Sequence, residues 1–382
     1  MKNPFSYSDI VTGEAFCNRQ AEMADLMRRI DDGQNVLLFS HRRTGKTSLI
    51  HQLIQAPLFT QYPRRSRKGH HSAIRPLVID LFGTLSESDF VAALLSALGQ
   101  LENSLDRLAA RLKGFHLAFS IDPMSGLPVV TPGFAPTEAP AFLERVMEVY
   151  AAYSAKERLL VVLDEFQEVE RYAEPGFEKR LRKSIQKHTN ISYIFAGSKH
   201  HLLELMFNSP GRAFYRMARH FPLKPIPLEH YQQWAVGLFA RKGVELSETV
   251  VAKIVALCDH HPAYVQQFLS ELWHVDPPDL AAVEEIGQAL LSENQEAFLK
   301  EWDLLTLNQK KTLKLIVTGS GKGVYSGTRL LAVGFNSPGT IQRTLKSLIE
   351  KDIVRKNDGY TLQDPLFRQW LERRFEAYPV PE

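Results

Sequence analysis

A turn between a short apolar run and a helical pattern has the residue types needed to hold a triphosphate. The apolar run is Val36–Phe39, and the turn that follows it is Ser40, His41, Arg42, Arg43, Thr44, Gly45, Lys46, Thr47 and Ser48. Such a turn directs backbone N–H groups at phosphate oxygens, and the N-terminus of the next helix adds its positive dipole end. We predict that these nine residues bind the phosphates of ATP, with Lys46 at the β- and γ-phosphates and Thr47 as a ligand of Mg²⁺.

Ser40 departs from the pattern Gly-x-x-x-x-Gly-Lys-Ser/Thr, which has glycine at that position. A serine there costs on the order of 1 kcal/mol if the turn requires a positive φ. We expect Ser40 to leave the strand with an ordinary backbone, so that phosphate binding is preserved.

A second apolar run, Leu159–Leu163, ends in the acidic pair Asp164 and Glu165. In open parallel sheets, ligands bind beyond the carboxyl ends of the strands. The pair therefore belongs beside the phosphate turn, with Asp164 as a second ligand of Mg²⁺ and Glu165 as the base that polarises the attacking water. The acidic pair alone is a weak signal, but together with the turn it predicts a Mg²⁺-dependent ATPase.

Two further groups are candidates for the catalytic step. Ser198 follows a strand-like run, and its hydroxyl can detect the γ-phosphate through the attacking water or through Glu165; it can equally cap the next helix. Arg216 can stabilise charge on the transferred phosphate, as can its neighbours Arg212 and Arg219. A surface ion pair is the alternative interpretation for each of these arginines.

Length and composition indicate a soluble protein of two or three domains. The chain has 382 residues, of which 44% are hydrophobic and 23% charged. No apolar run approaches the roughly 20 residues needed to cross a bilayer, and the N-terminus lacks the apolar core of a secretory signal. The only cysteines, Cys17 and Cys258, are too far apart in sequence for a disulfide framework or a cysteine zinc site. We expect a cytoplasmic protein with no membrane partner.

The net charge of +3 is nearly balanced, but the charges are unevenly distributed. No acidic residue lies between Asp32 and Asp80, whereas arginines and lysines are frequent there. Those outside the phosphate turn, in residues 64–71, indicate an exposed loop that is either solvated or in contact with nucleic acid or an acidic partner. The chain also has three histidine pairs, but adjacent histidines rarely face one ion, so we predict no metal other than Mg²⁺.

Strand-like and helical patterns alternate in the first part of the chain. The strand-like runs are Val36–Phe39, Leu77–Phe82, Leu159–Leu163, Ile191–Ala196 and an edge strand near Arg219–Pro225. Short, continuous apolar runs are typical of parallel strands covered on both faces, and their alternation with helices predicts a doubly wound α/β sheet. We expect the proline-rich stretch Asp122–Pro140 to be an irregular insertion.

The second part of the chain changes character twice. Four helical patterns predict a lid: Glu229–Lys242, Glu248–Asp259, Ala263–His274 and Leu280–Leu299. Three more helices, Asn308–Val317, Gly327–Val333 and Ser337–Lys351, are followed by a hairpin signal at Asn357-Asp358-Gly359, and together they predict a basic winged helix-turn-helix. We predict an ATPase core at 1–228, a helical lid at 229–300 and a winged-helix domain at 301–382.

In this order the motifs resemble the STAND-type P-loop ATPases related to AAA+ proteins, in the archaeal and bacterial group that ends in a winged helix. The resemblance covers nearly the whole chain. It is carried by Phe16–Glu22, Arg42–Leu49, Leu163–Gln167, Gly197-Ser198, Tyr215-Arg216, Pro225–Leu228, His261–Gln266 and Asp364–Leu371.

The resemblance implies an ASCE-type parallel sheet of order 5-1-4-3-2, a helical lid and a winged helix. It also implies that the segment containing Phe5 and Arg19 borders the adenine, and that Pro262 in the lid contacts nucleotide. This chain has Asn18 and His260 where the family usually has glycine.

Two functions follow from this combination, and a third interpretation, nucleotide binding without hydrolysis, applies if Glu165 is misplaced. The first is an ATP-dependent molecular switch that binds ATP, hydrolyses it slowly to ADP and has the winged helix as an output, autoinhibitory or partner-binding module. The alternative is an AAA+-like loader or initiator, similar to archaeal origin-recognition ATPases, that forms homo-oligomers on DNA. In that case Arg343, Lys346 and Arg355 of the winged helix would contact the DNA.

Overall fold

The computed structural model describes residues 2–40, 43–55, 74–99, 117–121, 128–133, 136–335, 337–356 and 358–376. Two predictions fall outside these ranges: the phosphate contacts of His41 and Arg42, and the exposed basic loop of residues 64–71.

A five-stranded parallel sheet forms the centre of the first half of the chain. Its strands are β1 (Val36–Phe39), β2 (Ile74–Asp80), β5 (Arg158–Asp164), β6 (Ile191–Gly197) and β7 (Arg219–Pro222), and the antiparallel hairpin β3 (Leu117–Ile121) and β4 (Pro128–Pro132) lies between β2 and β5 in sequence. The spatial order is β2-β5-β6-β1-β7. Counting the five strands along the chain and reading from the β7 edge gives 5-1-4-3-2, so the predicted fold class is confirmed.

The sheet is buried on both faces because its strands alternate between two apolar clusters. In β5, Leu159, Val161 and Leu163 face one cluster, while Leu160 and Val162 face the other. The helices that cover these faces within the described ranges are α1 (Gln20–Asp31), α2 (Lys46–Gln55), α3 (Glu87–Gly99), α4 (Ala139–Ser154), α5 (Phe177–Gln186) and α6 (His200–Asn208).

The strand register brings the ends of four strands to one edge of the sheet. Phe39 of β1 pairs with Gly197 of β6, and Asp80 of β2 pairs with Asp164 of β5. All of these strands are parallel, so the residues that follow them meet at the carboxyl edge. This edge contains the turn after β1, the acidic pair and Ser198.

One prediction about the core is wrong. We expected Asp122–Pro140 to be irregular, but Pro128–Pro132 forms β4, which pairs with β3. Both prolines lie at the ends of the strand, where a missing N–H costs least, so the proline content concealed a short ladder.

The lid prediction needs one correction. The helices are α7 (Leu228–Lys242), α8 (Glu248–Leu257), α9 (Pro262–Leu272), α10 (Leu280–Glu293) and α11 (Gln295–Asp303). The single helix expected over Leu280–Leu299 is divided at Asn294, whose side-chain amide donates to the Leu290 carbonyl at 2.8 Å. Such a local side-chain bond competes with helix continuation.

The C-terminal segment is a winged helix, as predicted. Its elements are α12 (Leu307–Thr318), α13 (Gly327–Ala332), α14 (Pro338–Glu350), the hairpin strands β8 (Val354–Lys356) and β9 (Tyr360–Leu362), and α15 (Pro365–Phe375). A capping box between Thr306 and Gln309 starts α12, and Asp364 caps α15 by accepting from two backbone N–H groups.

The chain divides into two compact units, Ile10–Lys224 and Met1–Asp9 with Pro225–Glu382. In the second unit, Phe5 is buried within about 6 Å of three aromatic rings, those of Trp234, Phe239 and Trp273. The predicted division into three domains, at 1–228, 229–300 and 301–382, stays a prediction. Within the described ranges, no helix has the length and apolar character that crossing a membrane requires.

Candidate nucleotide site

Lys46 and the acidic pair meet at the carboxyl edge of the sheet. Lys46 is the first residue of α2 and is only 6% exposed. Its Nζ lies 2.5 Å from Asp164 Oδ1 and 3.0 Å from Glu165 Oε1. A buried ammonium group requires such partners, because an unpaired buried charge is very costly.

The Thr47 hydroxyl completes a set of oxygen donors. Thr47 Oγ1 donates to Asp164 Oδ2 at 3.0 Å, on the side of that carboxylate not bonded to Lys46. Carboxylate and hydroxyl oxygens that lie side by side are hard ligands, the kind that Mg²⁺ binds in nucleotide sites. The residues present therefore fit the metal that the turn and the acidic pair predict.

Glu165 receives hydrogen bonds on both carboxylate oxygens. Lys46 binds Oε1, while Ser198 Oγ donates to Oε2 at 2.9 Å and Gln167 Nε2 donates to the same atom. Burial acts to raise the pKa of Glu165, but Lys46, Gln167 and Ser198 together outweigh it and the net shift is downward. Glu165 is therefore ionised at neutral pH, as a base must be.

The described part of the phosphate turn has the backbone expected of an anion-binding loop. Arg43 and Gly45 are left-handed, with φ of 58° and 86°. Ser40 is not among the described residues with positive φ, which agrees with the ordinary backbone expected for it. Thr44 is partly buried in the turn, and Ser48 Oγ accepts from the Val11 N–H at 3.0 Å.

Ser198 contacts Glu165 and does not cap the following helix. The N-cap position of α6 is Lys199, which makes no side-chain cap bond. Ser198 is only 8% exposed, and its hydroxyl bonds to the Glu165 carboxylate. Of the two interpretations of this serine, the structure has the contact with Glu165.

Arg216 does not lie beside Lys46 and the acidic pair. The residue precedes β7, whose first residue, Arg219, pairs with Val36 at the start of β1. Arg216 therefore lies at the amino edge of the sheet, opposite Lys46, and lines a cavity of about 800 Å³ together with Arg29 and Arg219.

Arg212 forms ion pairs, which is the alternative interpretation given for these arginines. It forms ion pairs with Glu170 at 3.0 Å and with Glu178 at 2.5 Å. Its guanidinium is therefore engaged within its own unit.

Asp80 is a site residue that the sequence analysis missed. It ends β2, is paired in register with Asp164, and accepts the Phe82 N–H at 2.9 Å. Burial raises the pKa of Asp80, and the nearby charges of Asp164 and Glu165 raise it further, although Lys46 opposes them. The available signal was an acid at the end of an apolar run, the same signal that identified Asp164.

Arg19 is held rigidly in the first unit. It is left-handed (φ 87°) and 3% exposed, and its Nη1 donates to Glu22 at 2.7 Å and to the Lys224 carbonyl at 2.5 Å. Its Nη2 is buried without a hydrogen-bond partner among the described residues. Such an unpaired donor suits a polar ligand group. The adenine contact implied for Arg19 stays a prediction.

Phe5 and Pro262 belong to the other unit. Pro262 is the first residue of α9, directly after His260 and His261. His260 has φ of 57° and its Nδ1 lies 3.1 Å from the Ile226 carbonyl oxygen. The nucleotide contacts implied for Phe5 and Pro262 stay predictions.

No group of three or more histidine, cysteine or acidic residues suited to a metal ion occurs in the described part of the chain. His200-His201 and His260-His261 lie in that part, whereas His70-His71 lies outside it.

The winged helix has basic residues on its exposed surface and one in an internal ion pair. Gln342, Arg343 and Lys346 of α14 are exposed. Arg355 of β8 is 17% exposed and donates to Asp259 in the turn between α8 and α9. Tyr264 donates to Asp364, and Gln369 Nε2 donates to the Leu257 carbonyl at 2.8 Å, so the winged helix contacts the lid at several points.

Sheet order, phosphate turn and acidic pair define a P-loop ATPase fold, with a winged helix at the C-terminus. Residues 296–373 match the family model of a probable winged helix domain.

Solved structures agree with this fold. A Walker-type ATPase of Pyrococcus abyssi is similar over 94% of this chain and 96% of its own, with a TM-score of 0.63 and 18% identity. The ORC2 protein of Aeropyrum pernix, in ADPNP–ADP complexes, is similar over 95% of each chain, with a TM-score of 0.56 and 14% identity. A search of curated protein sequences gave no match.

Proposed function

We propose that this protein is an ATP-dependent molecular switch of the STAND type that hydrolyses ATP slowly with Mg²⁺ and has the winged helix as its output or autoinhibitory module. The observation that carries the proposal is the joint position of Lys46, Thr47, Asp164, Glu165 and Ser198 at one edge of the sheet. These are the groups that phosphate binding, metal binding and water activation require, in contact with one another.

Binding of ATP exchanges the partners of Lys46. The ammonium group is held by Asp164 and Glu165, and the β- and γ-phosphates replace these carboxylates as its anionic partners. The backbone N–H groups of the turn and of the N-terminus of α2 donate hydrogen bonds to the remaining phosphate oxygens. Once Lys46 binds the phosphates, Glu165 keeps the hydrogen bonds from Ser198 and Gln167.

Thr47 and Asp164 would hold Mg²⁺. The ion would supply positive charge that offsets the charge of the phosphates. The 3.0 Å hydrogen bond from Thr47 Oγ1 to Asp164 Oδ2 places these two oxygens side by side, where one ion could contact both.

Hydrolysis then requires a base, and Glu165 supplies it. A water oxygen forms a bond to the γ-phosphorus as the bond from that phosphorus to the β,γ-bridging oxygen breaks, so that ADP and inorganic phosphate are produced. Glu165 accepts the proton that the water loses. Ser198 contacts the same carboxylate and transmits the state of the γ-phosphate to β6.

We expect slow turnover in a single copy. Arg216 lies at the amino edge of the sheet, so it cannot reach a phosphate beside Lys46 in the same core. A catalytic role for Arg216 therefore requires a second copy of the chain, and a monomer works without that charge.

The lid contacts favour an internal role for the winged helix. Arg355, a predicted DNA contact, is bonded to Asp259 only one residue before His260 of the lid turn. A change at that turn on binding nucleotide would therefore reach the hairpin of the winged helix directly.

A second candidate function, a DNA-binding loader or initiator, is supported by the exposed surface of α14. Gln342, Arg343 and Lys346 all lie there, and one helix face with amide and cationic groups suits phosphate and base contacts. In this function the protein forms homo-oligomers on DNA.

ATP turnover and molecular mass, measured with and without a duplex DNA, separate the two functions. The switch predicts a monomer with a turnover below about one per second and no effect of DNA, whereas the loader predicts DNA-dependent assembly and faster turnover. Glu165→Gln should bind ATP but hydrolyse it at least about 100-fold more slowly. The control is Glu168→Gln, which makes the same charge change on the next turn of the chain. Equal turnover in Glu165→Gln and the wild type would refute the assigned base.

A further inference from the structure

Gln167 is buried directly beside the acidic pair, although the nucleotide site just described does not require it. It is 1% exposed and lies in the 3₁₀ helix Phe166–Arg171 that follows Glu165. Its Nε2 donates to Glu165 Oε2, the same oxygen that accepts from Ser198. Glu165 itself has a left-handed backbone, with φ of 50°, so the chain reverses sharply between Asp164 and this amide.

The chemistry of the contact fixes the orientation of the amide. A carboxylate can only accept, so the NH₂ end of Gln167 must face Glu165. The Oε1 end faces Gly197 on the neighbouring strand β6, and it has no hydrogen-bond partner among the described residues. A buried acceptor without a partner is costly, and this position is tolerated where the opposite end of the amide is well bonded.

Gly197 provides the space for this amide. A Cβ atom at residue 197 would lie 2.0 Å from Gln167 Oε1, closer than two such atoms can approach, and 2.9 Å from Leu203 Cδ1. Because residue 197 has no side chain, Gln167 can reach Glu165. Gly197 also precedes Ser198, so β6 controls both donors to Oε2.

We propose that Gln167 is a positioning residue for the catalytic base: its amide holds the Glu165 carboxylate in place once the phosphates have taken Lys46, and Gly197 is the residue that admits it. The inference rests on the proposed ATP hydrolysis. Of the three donors on Glu165, Lys46 is the one that changes partner, and Ser198 and Gln167 are the two that stay. If one of these hydrogen bonds is lost, the Glu165 carboxylate can adopt a second orientation. It then faces the attacking water for a smaller fraction of the time.

The test uses Gln167→Met, which keeps the length of the side chain and removes its polar end. We expect kcat to fall about tenfold or more, as for the loss of a hydrogen bond to a charged group, while the KM for ATP changes less than twofold. In the Glu165→Gln background, single-turnover rates should show no further loss from Gln167→Met, because the group that it positions is gone.

Gly197→Ala approaches the same contact from β6. It should also lower kcat, and the double variant Gly197→Ala/Gln167→Met should be no slower than the worse single variant. Val169→Ala, which removes packing from the same 3₁₀ helix without touching Glu165, serves as the control and should leave kcat within twofold.

The outcomes distinguish this proposal from the proposed function. Equal kcat for Gln167→Met and the wild type, or a Gln167→Met loss that persists in the Glu165→Gln background, overturns the positioning role and leaves ATP hydrolysis standing. A similar loss in Val169→Ala overturns it as well, because it would assign the effect to general packing. A wild type without ATP turnover overturns both proposals.

Discussion

Arg355, on the first strand of the winged-helix hairpin, donates a hydrogen bond to Oδ2 of Asp259 in the turn that precedes α9. Arg355 is 17% exposed and Asp259 33% exposed, so the pair is partly shielded from solvent. A residue predicted to contact DNA is thereby engaged within its own unit. The available basic surface of the winged helix is instead that of α14.

In the second candidate function, the DNA-binding loader or initiator, Asp259→Asn should increase the affinity for DNA by releasing Arg355. We expect binding to a 30-base-pair duplex at low salt to become several-fold tighter, and the slope of log K against log salt to steepen by about one counterion. Fluorescence anisotropy over a salt series measures both quantities. Asp303→Asn makes the same charge change in an exposed side chain of the same unit and should leave the slope unchanged.

Arg343→Ala and Lys346→Ala test the same surface from the opposite direction. Each should weaken binding and reduce the salt slope by about one. If neither variant nor Asp259→Asn alters binding, the winged helix does not contact DNA and its role is internal.

Lys46→Met should abolish ATP binding and also destabilise the nucleotide-free protein. Removing the ammonium group leaves the buried Asp164 and the partly buried Glu165 side by side without a cation, and the loss of one partner of a buried ion pair costs about 3 kcal/mol. Binding of a fluorescent ATP analogue and chemical unfolding measure the two effects. Lys183→Met, which breaks an exposed pair with Glu144 at 3.6 Å, should change stability by less than about 1 kcal/mol. Full stability in Lys46→Met would show that water solvates these carboxylates.

The phosphate site could be predicted from sequence because its residues follow strands that are recognisable by composition. Val36–Phe39 and Leu159–Leu163 are continuous apolar runs, and parallel strands bring the residues after them to one edge. Lys46, Asp164 and Ser198 could therefore be placed together without any knowledge of the packing. Asp80 had the same signal and was overlooked because one acid at the end of a strand is common.

Other features depended on register or backbone conformation. An edge strand was predicted near Arg219, but the position of Arg216 at the amino edge depends on the register of that strand, in which Arg219 pairs with Val36 at the start of β1. Asn18 and His260, which stand where the resembled family has glycine, have φ of 49° and 57°. Asparagine and histidine are among the side chains that tolerate this region, so the left-handed backbone is preserved without glycine. The approach of Gln167 to Gly197 joins a 3₁₀ helix to a strand about 30 residues away in sequence, so it leaves no periodic signal.

Arg216 should act on a second copy if it acts in catalysis. Arg216→Ala should lower turnover at least tenfold, as for loss of a cation at the transferred phosphate. A mixture of Arg216→Ala with Lys46→Ala should hydrolyse ATP faster than the sum of the two separate proteins, because the second variant supplies Arg216 to an intact phosphate site in the first.

Arg212→Ala provides the matched control for this mixing experiment. Its guanidinium is paired with Glu170 and Glu178, so it is engaged within its own core and should show no complementation with Lys46→Ala. A mixture no faster than its components would exclude a shared site.

His188 should make the α/β unit less stable in acid. Nε2 lies 3.0 Å from the Met147 carbonyl, which can only accept, so Nε2 carries the proton and Nδ1 accepts from the Tyr193 hydroxyl at 2.6 Å. Burial holds the pKa of His188 below its usual value; the Met147 bond opposes this, and Lys187 adds to it. The unfolded chain therefore binds a proton more readily than the folded one, and stability is lost as the pH falls below about 6.5 towards the folded pKa.

Hydrogen exchange of the β5 and β6 amides at pH 7.5 and 5.5, corrected for intrinsic rates, reports this loss within the unit concerned. We expect protection in the wild type to decrease at pH 5.5 by more than in His188→Gln, which retains a donor and an acceptor but does not titrate. His274→Gln, a change at an exposed histidine of the other unit, should behave as the wild type. If His188→Gln shows the same decrease as the wild type, another group controls the acid response, and the neutral tautomer assigned from the Met147 and Tyr193 contacts contributes nothing to it.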